Sequence, residues 1–195
     1  MALAKKRKKF FDIEIPLIKK QTQLLAYEAK ELGGKYITYD LTRILRGKSL
    51  ILQAITTIQG DKIIAIPVKL TLMPYFLKRM VRKGSNYVED SFSAKCKDAQ
   101  IRIKPFLVTR RKVSRAVRCA LREKAREELI EYVKNKDAEI IFDEVLKGQI
   151  QKPLSLKLKK IYPLSLCEIR ILKIEKFLEK PKEEAKKEED KINSA

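Results

Sequence analysis

The sequence predicts an α+β fold: a small β-barrel core, closed or half closed, with flanking helices, one of which is long, basic and amphipathic. Segments rich in β-branched and aliphatic residues recur through the first half of the chain and favour strands. An apolar residue then occupies every fourth position over residues 113–133, as in a helix that buries one face. A last strand-like segment at residues 164–177 returns the chain to the sheet.

The first strands are separated by turn signals. Residues 10–15 alternate apolar and polar side chains and end at a proline, which predicts a strand. Residues 24–29 fit either a second short strand or a helical turn. Glycines at residues 33–34 indicate a turn, and the β-branched and aromatic residues 35–39 that follow predict another strand.

A short helix and a hairpin come next. Asp40 is placed to cap a short helix that ends at Gly47. Residues 50–58 and 62–72 predict a β-hairpin with a Gly-Asp turn between them. Pro67 interrupts the second run, so we expect either an edge position or a β-bulge there.

The middle of the chain predicts a short helix and a second hairpin. Residues 73–81 form the helix, with a proline in its first turn. Residues 87–94 and 99–108 form the hairpin. Isoleucines alternate with basic residues over residues 101–104, which predicts one apolar and one basic face.

The long helix is predicted over residues 113–134. Residues 138–159 predict a further helical stretch, broken near Gly148 and Pro153. The apolar stripe of the long helix consists of Val113, Val117, Leu121, Ala125, Leu129 and Val133.

The composition argues against catalysis and against bound cofactors. The 195 residues include no histidine, which excludes Ser-His-Asp and Cys-His catalytic groups and any histidine-ligated metal. The sequence contains neither a P-loop nor a GxGxxG motif, and its acidic residues show no catalytic spacing. We therefore expect no enzymatic activity, no cofactor, no metal and no small-molecule substrate.

Cysteines and hydropathy indicate a cytoplasmic protein. Cys96, Cys119 and Cys167 lie far apart and form no CxxC pair, so we expect packing residues in a reducing compartment. No apolar run reaches the roughly 20 residues of a membrane-spanning helix. No apolar stretch typical of a secretory signal follows the basic N-terminus.

The charge is large and concentrated. Basic residues outnumber acidic ones by 45 to 25, and the resulting net charge of +20 calls for a polyanionic partner. Residues 110–126 contain eight basic residues and one acid. The N-terminal arm contains five basic residues and no acid: Lys5, Lys6, Arg7, Lys8 and Lys9.

The charge pattern predicts three parts. Residues 1–9 form a basic arm that we expect to be disordered when free and to order on RNA. Residues 10–178 form a single α+β RNA-binding domain. Residues 179–195 form a charged C-terminal tail in which acids and bases nearly cancel.

Arginines on the long helix give the strongest functional signal. Five of them, which we call the arginine stripe, are spaced four, three, four and four residues apart and share one helix face away from the apolar stripe. Like charges at this spacing destabilise an isolated helix, and so do cations near its N-terminus. A bound polyanion would reverse that cost, and guanidinium groups bind phosphate bidentately. The stripe consists of Arg111, Arg115, Arg118, Arg122 and Arg126, and Arg110 and Lys112 flank its start.

A second basic cluster lies on or just after the short helix at residues 73–81. It fits either RNA contacts or a solvated helix end. Its members are Lys78, Arg79, Arg82 and Lys83.

Two other functions remain open. A free-standing RNA- or DNA-binding protein would share this composition. A membrane-surface protein would use the basic helix, but that helix lacks the bulky aromatic anchors typical of such proteins, and we expect no membrane partner.

Six short segments, in a fixed order, point to a family. They are GKYITYDL (34–41), IQGDK (58–62), FLVTRR (106–111), IYPL (161–164), IRILK (169–173) and KPK (180–182). Their order and spacing resemble the S-three-A-e family of small-subunit ribosomal proteins, which archaea and eukaryotes share. The chain lacks the longer terminal extensions of eukaryotic members, so it looks like an archaeal member.

The resemblance implies a fold, a location and partners. The fold is a β-barrel core with flanking helices, on the platform of the small ribosomal subunit near the messenger exit. The partners are small-subunit ribosomal RNA and neighbouring ribosomal proteins. Members of the family are not enzymes. We therefore expect a cytoplasmic, ribosome-bound structural protein that supports translation.

Overall fold

The computed structural model describes residues 7–45, 47–60 and 62–178. Within these residues it contains a nine-stranded sheet, four α-helices and a 3₁₀ turn at Ala29–Leu32. In chain order the elements are β1 (Lys9–Ile15), β2 (Lys20–Ala26), β3 (Tyr36–Asp40), β4 (Leu50–Gln59), β5 (Lys62–Leu72), α1 (Pro74–Met80), β6 (Tyr87–Glu89), β7 (Phe92–Lys95), β8 (Ala99–Thr109), α2 (Arg115–Lys134), α3 (Ala138–Lys147), α4 (Gln151–Leu158) and β9 (Leu164–Phe177).

The last strand, β9, joins the two halves of the sheet. On one side it pairs antiparallel with β8 along most of its length, and β8 pairs in turn with β6 and β7. On its other side β9 pairs with residues 69–71 of β5. Strand β5 forms a hairpin with β4, which pairs with β3, while Ile63 and Ile64 of β5 pair in parallel with β1. Strand β2 completes the sheet beside β1.

The predicted barrel core is wrong, because the sheet is open. A barrel requires its outermost strands to pair with each other. Among the described residues β3 pairs only with β4, and β6 and β7 pair only with β8. Strands β6 and β7 contain three and four residues, and α2 packs against both of them. Strand β2 pairs only with β1, so the strands at the two ends of the described sheet, β2 and β6, do not pair with each other.

Several local predictions are confirmed. The β4–β5 hairpin forms, and its register shifts so that Gln53 faces Lys69 while Ala54 faces Pro67. Val68 is the extra residue, which gives the β-bulge expected near the proline. The apolar stripe of α2 is buried from Leu121 to Val133, with the four-residue period of the sequence.

Other local predictions are wrong for reasons of turn chemistry. The helix expected after Asp40 is reduced to one hydrogen-bonded turn, in which the amide of Leu45 donates to the carbonyl of Leu41 over 2.8 Å. At the start of this turn the Asp40 carboxylate accepts hydrogen bonds from the amide (2.8 Å) and the hydroxyl (2.5 Å) of Thr42. These bonds also hold the pKa of the Asp40 carboxyl below its usual value. The strand predicted over residues 87–94 divides into β6 and β7. Gly148, at φ 73°, ends α3 as expected, whereas Pro153 is accommodated in the first turn of α4.

An ion pair of Glu128 links α2 to α4. The Glu128 carboxylate forms an ion pair with Lys157 of α4 and lies 3.6 Å from Lys124 Nζ, one turn earlier on α2. The hydrogen bond from Lys157 is the main reason why the pKa of the Glu128 carboxyl lies below its ordinary value of 4.5. A carboxyl whose pKa is lowered by folding stabilises the protein above its unfolded-state pKa, and that contribution is lost as the pH falls through the folded-state pKa.

A second ion pair is more deeply buried. Lys48, in the loop before β4, lies 2.6 Å from Glu168 on β9. Glu168 is only 8% exposed, and its other carboxylate oxygen accepts a hydrogen bond of 3.3 Å from Gln151 on α4. A buried carboxylate is costly without a cation, so this pair fixes the loop and α4 against the sheet.

We expect Lys157→Met to lower the free energy of unfolding by about 0.5 kcal/mol at pH 7, because the pair is partly exposed to solvent. The difference from the unmodified chain should shrink toward pH 3, because the Glu128 carboxyl takes up protons as the pH falls toward its lowered pKa. Urea unfolding monitored by circular dichroism at both pH values measures it. Lys159→Met, an exposed change at the end of the same helix, is the matched control. A difference that stays the same at pH 3 would contradict the assignment.

Lys48→Met should be more severe, lowering the free energy of unfolding by about 2–3 kcal/mol, because it leaves the Glu168 carboxylate buried without its cation. The double variant Lys48→Met/Glu168→Gln should recover most of that loss in the same urea titration. Equal destabilisation of the single and double variants would show that Lys48 acts through packing instead of charge.

Candidate nucleic-acid interface

Two basic loops meet at the end of β8. The amide of Thr109 donates to the carbonyl of Asn86 over 2.8 Å, and the amide of Asn86 donates to the Thr109 hydroxyl over 3.0 Å. The hydroxyl also lies 2.8 Å from the carbonyl of Arg111. We call these contacts the Asn86–Thr109 clamp. It joins the loop that follows α1 to the loop that precedes α2.

The clamp brings together cations from two clusters that are separate in sequence. The first loop carries Arg82 and Lys83, and the hydroxyl of Ser85 donates to the carbonyl of Arg82 over 2.7 Å to close its turn. The second loop carries three further cations. All five cations are exposed, and those of the second loop are Arg110, Arg111 and Lys112.

The arginine stripe is only partly helical. Helix α2 begins after Ser114, whose hydroxyl accepts a hydrogen bond of 3.4 Å from the amide of Val117. The prediction that Arg111 lies on the helix face is therefore wrong, because Arg111 lies in the loop before the cap. The first turn of α2 contains Arg115 and no acid, so a cation sits at the positive end of the helix dipole.

The helical arginines differ in their surroundings. Arg115 and Arg122 are exposed. The guanidinium of Arg126, also exposed, lies 5.6 Å from the centre of the Phe92 ring. Arg118 is half-buried, and its Nε has no hydrogen-bond partner within residues 7–45, 47–60 and 62–178. A buried donor without an acceptor costs about 1–3 kcal/mol, so the position of Arg118 lowers the stability of the free protein.

Two more cations extend the surface, and sequence reasoning did not include them. Arg122 lines an open groove with Lys104 of β8 and Arg170 of β9. Arg170 also forms an ion pair of 2.9 Å with Glu89 of β6. The alternation over residues 101–104 signals a basic face for β8, but Arg170 lies far away in sequence and only the sheet brings it there.

The remaining predicted site residues lie elsewhere. Lys78 and Arg79 are exposed on α1, and Arg79 lies 5.5 Å from the Phe76 ring. Arg7, Lys8 and Lys9 are exposed at the start of β1, which β5 and β9 separate from β8. Lys8 Nζ lies 5.4 Å from the centre of the ring of Tyr27, the residue that follows β2. Lys5, Lys6 and the tail over residues 179–195 lie outside the described residues.

The three cysteines differ in their exposure. Cys96 and Cys167 are buried, and burial raises the pKa of the Cys167 thiol to about 12, so it stays protonated. Cys119 is exposed, which contradicts its predicted packing role. Helices long and apolar enough to span a bilayer do not occur among these residues.

The comparisons with known proteins agree on one family. Residues 4–177 match the Ribosomal S3Ae family. The Small ribosomal subunit protein eS1 of Nanoarchaeum equitans is 27% identical over 173 residues, which cover 85% of this chain and 87% of the relative. The protein of the same name from Saccharolobus islandicus is 28% identical over 186 residues, covering 89% and 88%.

A third relative, the Small ribosomal subunit protein eS1 of Halorubrum lacusprofundi, is 26% identical over 176 residues, which cover 88% of this chain and 80% of the relative. The modest identities extend along nearly the whole of each protein. Since the family match includes every strand from β1 to β9 and all four helices between them, this chain belongs to the Ribosomal S3Ae family.

Proposed function

We propose that this chain is a structural constituent of the small ribosomal subunit, which binds small-subunit ribosomal RNA and supports translation in the cytoplasm. Family membership supports the ribosomal role, and the relatives matched above carry the name of a small-subunit protein. The platform near the messenger exit is the position that the family resemblance implies, with neighbouring ribosomal proteins as further partners.

The observation that carries the RNA-binding proposal is the Asn86–Thr109 clamp. It holds two loops with five exposed cations beside the N-terminus of α2, where Arg115 adds a sixth. Such a concentration of positive charge is costly in the free protein. An RNA backbone neutralises it and releases condensed counterions. The basic surface of this proposal comprises Arg82, Lys83, Arg110, Arg111, Lys112, Arg115, Arg118, Arg122 and Arg126.

The chemistry of the surface favours recognition of RNA by shape. Guanidinium groups form bidentate hydrogen bonds with phosphate oxygens, and six of the nine cations are arginines along α2 and its preceding loop. Phosphate contacts fix the position and orientation of the protein but do not read bases. We infer that the protein braces packed RNA helices at this surface.

The N-terminal arm is a second, separate RNA contact in this proposal. Lys5, Lys6, Arg7 and Lys8 precede β1 in sequence and Lys9 begins it, and β5 and β9 lie between β1 and β8 in the sheet. The domain would then hold two RNA segments, one at each basic region, at a fixed separation. Lys78 and Arg79, exposed on α1, extend the basic surface beyond the loop with Arg82 and Lys83.

Arg115→Glu tests the proposal, because it should change stability and binding in opposite directions. An acid in the first turn of α2 interacts favourably with the helix dipole, so the free energy of unfolding should rise by about 0.5 kcal/mol. Affinity for transcribed small-subunit ribosomal RNA should fall about fivefold, and the salt dependence should lose about one phosphate contact. Filter binding at several salt concentrations and urea unfolding measure the two effects.

Lys134→Glu is the matched control, because it makes the same change of charge at the other end of α2. We expect its RNA affinity to stay within about twofold of the unmodified chain. Equal losses for both variants would mean that only net charge matters, and unchanged binding of Arg115→Glu would remove this surface from the proposal. If duplex DNA displaced the labelled ribosomal RNA as effectively as unlabelled ribosomal RNA does, the result would favour a free-standing nucleic-acid-binding protein.

A further inference from the structure

An exposed aromatic side chain lies directly beside the Asn86–Thr109 clamp. Tyr87, the first residue of β6, stacks on Phe106 of β8 with ring centres 5.9 Å apart and ring planes inclined by 20°. Phe106 is buried, but Tyr87 is 55% exposed. An aromatic side chain of this size is usually buried, because burial of its apolar surface is favourable. Here the stack on Phe106 fixes the Tyr87 ring, while more than half of the residue stays exposed to solvent.

The Tyr87 ring borders a groove between α1 and the sheet. Its apolar lining comes from Pro74, Leu77 and Val81 on the α1 side and from Tyr87 and Phe106 on the sheet side. The polar lining consists of Lys78, Glu89 and Arg170. Glu89 and Arg170 also line the groove that contains Arg122, so the two grooves are neighbours on the basic surface.

We infer that this groove, which we call the Tyr87 groove, binds an unpaired RNA nucleotide, with its base against Tyr87 and its phosphate near Lys78. This inference rests on the proposed function and adds to it a contact with single-stranded RNA. Every base has a flat π-face that stacks on an aromatic ring, and such stacking tolerates any base sequence. Bases inside a duplex have both faces covered, so only an unpaired base fits.

Charge favours RNA as the occupant. The one carboxylate that lines the Tyr87 groove, Glu89, is already paired with Arg170, which leaves the Lys78 ammonium for a phosphate. Val81 immediately precedes Arg82 in sequence, and Tyr87 immediately follows Asn86, so the loop with Arg82 and Lys83 joins one wall of the groove to the other. An RNA strand with one nucleotide in the groove would therefore place its neighbouring phosphates against that loop.

Tyr87→Leu separates stacking from electrostatics, because it keeps an uncharged, apolar side chain while it removes the aromatic ring with its hydroxyl. With the full chain we expect its affinity for a fluorescein-labelled single-stranded RNA of about ten nucleotides to fall about tenfold, the range typical of one lost stack. Affinity for a duplex RNA of the same length should change less than twofold. Tyr87→Phe, which keeps the ring, should bind both RNAs as the unmodified chain does.

Tyr36→Leu is the matched control, because Tyr36 is 70% exposed but lies on β3, outside the groove. It should leave both affinities unchanged. Photocrosslinking of the unmodified chain to the same single strand carrying 5-iodouridine needs no variant, and mass spectrometry should find the crosslink on Tyr87.

The outcomes distinguish the inference from the proposed function. If Tyr87→Leu bound both the duplex and the single strand as tightly as the unmodified chain does, the inference about the Tyr87 groove would be overturned. Crosslinks confined to other residues would overturn it as well. Either result would leave the proposal for the basic surface intact. If Tyr87→Leu no longer associated with small ribosomal subunits but kept its RNA affinity, the groove would bind a protein partner, and the inference would be overturned too. Absence of any RNA binding by the unmodified chain would overturn both.

Discussion

The fold depends on the antiparallel pairing of β9 with β8. Strand β9 is the last element in the chain, yet it lies in the interior of the sheet, between β5 and β8. The hairpin of β4 and β5, with β3, β1 and β2, forms one side, and β8 with β6 and β7 forms the other. The two sides become one sheet only when β9 docks. Its long-range contacts carry a large loop-closure entropy, so we expect docking to complete folding late.

The proposed RNA surface depends on the same pairing. Strand β8, held on one side by β9, ends at Thr109, and Thr109 holds the loop around Asn86. From that point the chain enters α2, which packs on β6 and β7 and is tied to α4 by Glu128. Helix α2 therefore has a fixed position, and its cations stay close together despite their repulsion. Like charges side by side on a helix, and cations at its N-terminus, are unfavourable in the free protein. When a rigid support holds such charges together, the arrangement is typical of a surface that binds a ligand of opposite charge.

The sequence was sufficient for several features that local chemistry decides. The β4–β5 hairpin, the bulge near Pro67, the buried face of α2 and the helix end at Gly148 follow from residues close together in the chain. The predictions from sequence failed where strands that are far apart in the chain pair with each other. Strand lengths and hydropathy do not specify whether a sheet closes, so a barrel was predicted where the sheet is open. The clamp and Arg170 were missed because their partners lie distant in sequence. The helix expected after Asp40 forms only one turn, closed by the hydrogen bond from Leu45 to Leu41.

Sedimentation of an extract from cells that make this protein tests the central claim most directly. The extract is separated on a density gradient before and after a high-salt wash, and the chain is quantified by mass spectrometry. A structural constituent should be recovered with small ribosomal subunits at one copy each and should survive the wash, because many phosphate contacts and protein neighbours act together. Recovery in free or salt-labile fractions would contradict the account and would mean that the family match reports the fold but not the role.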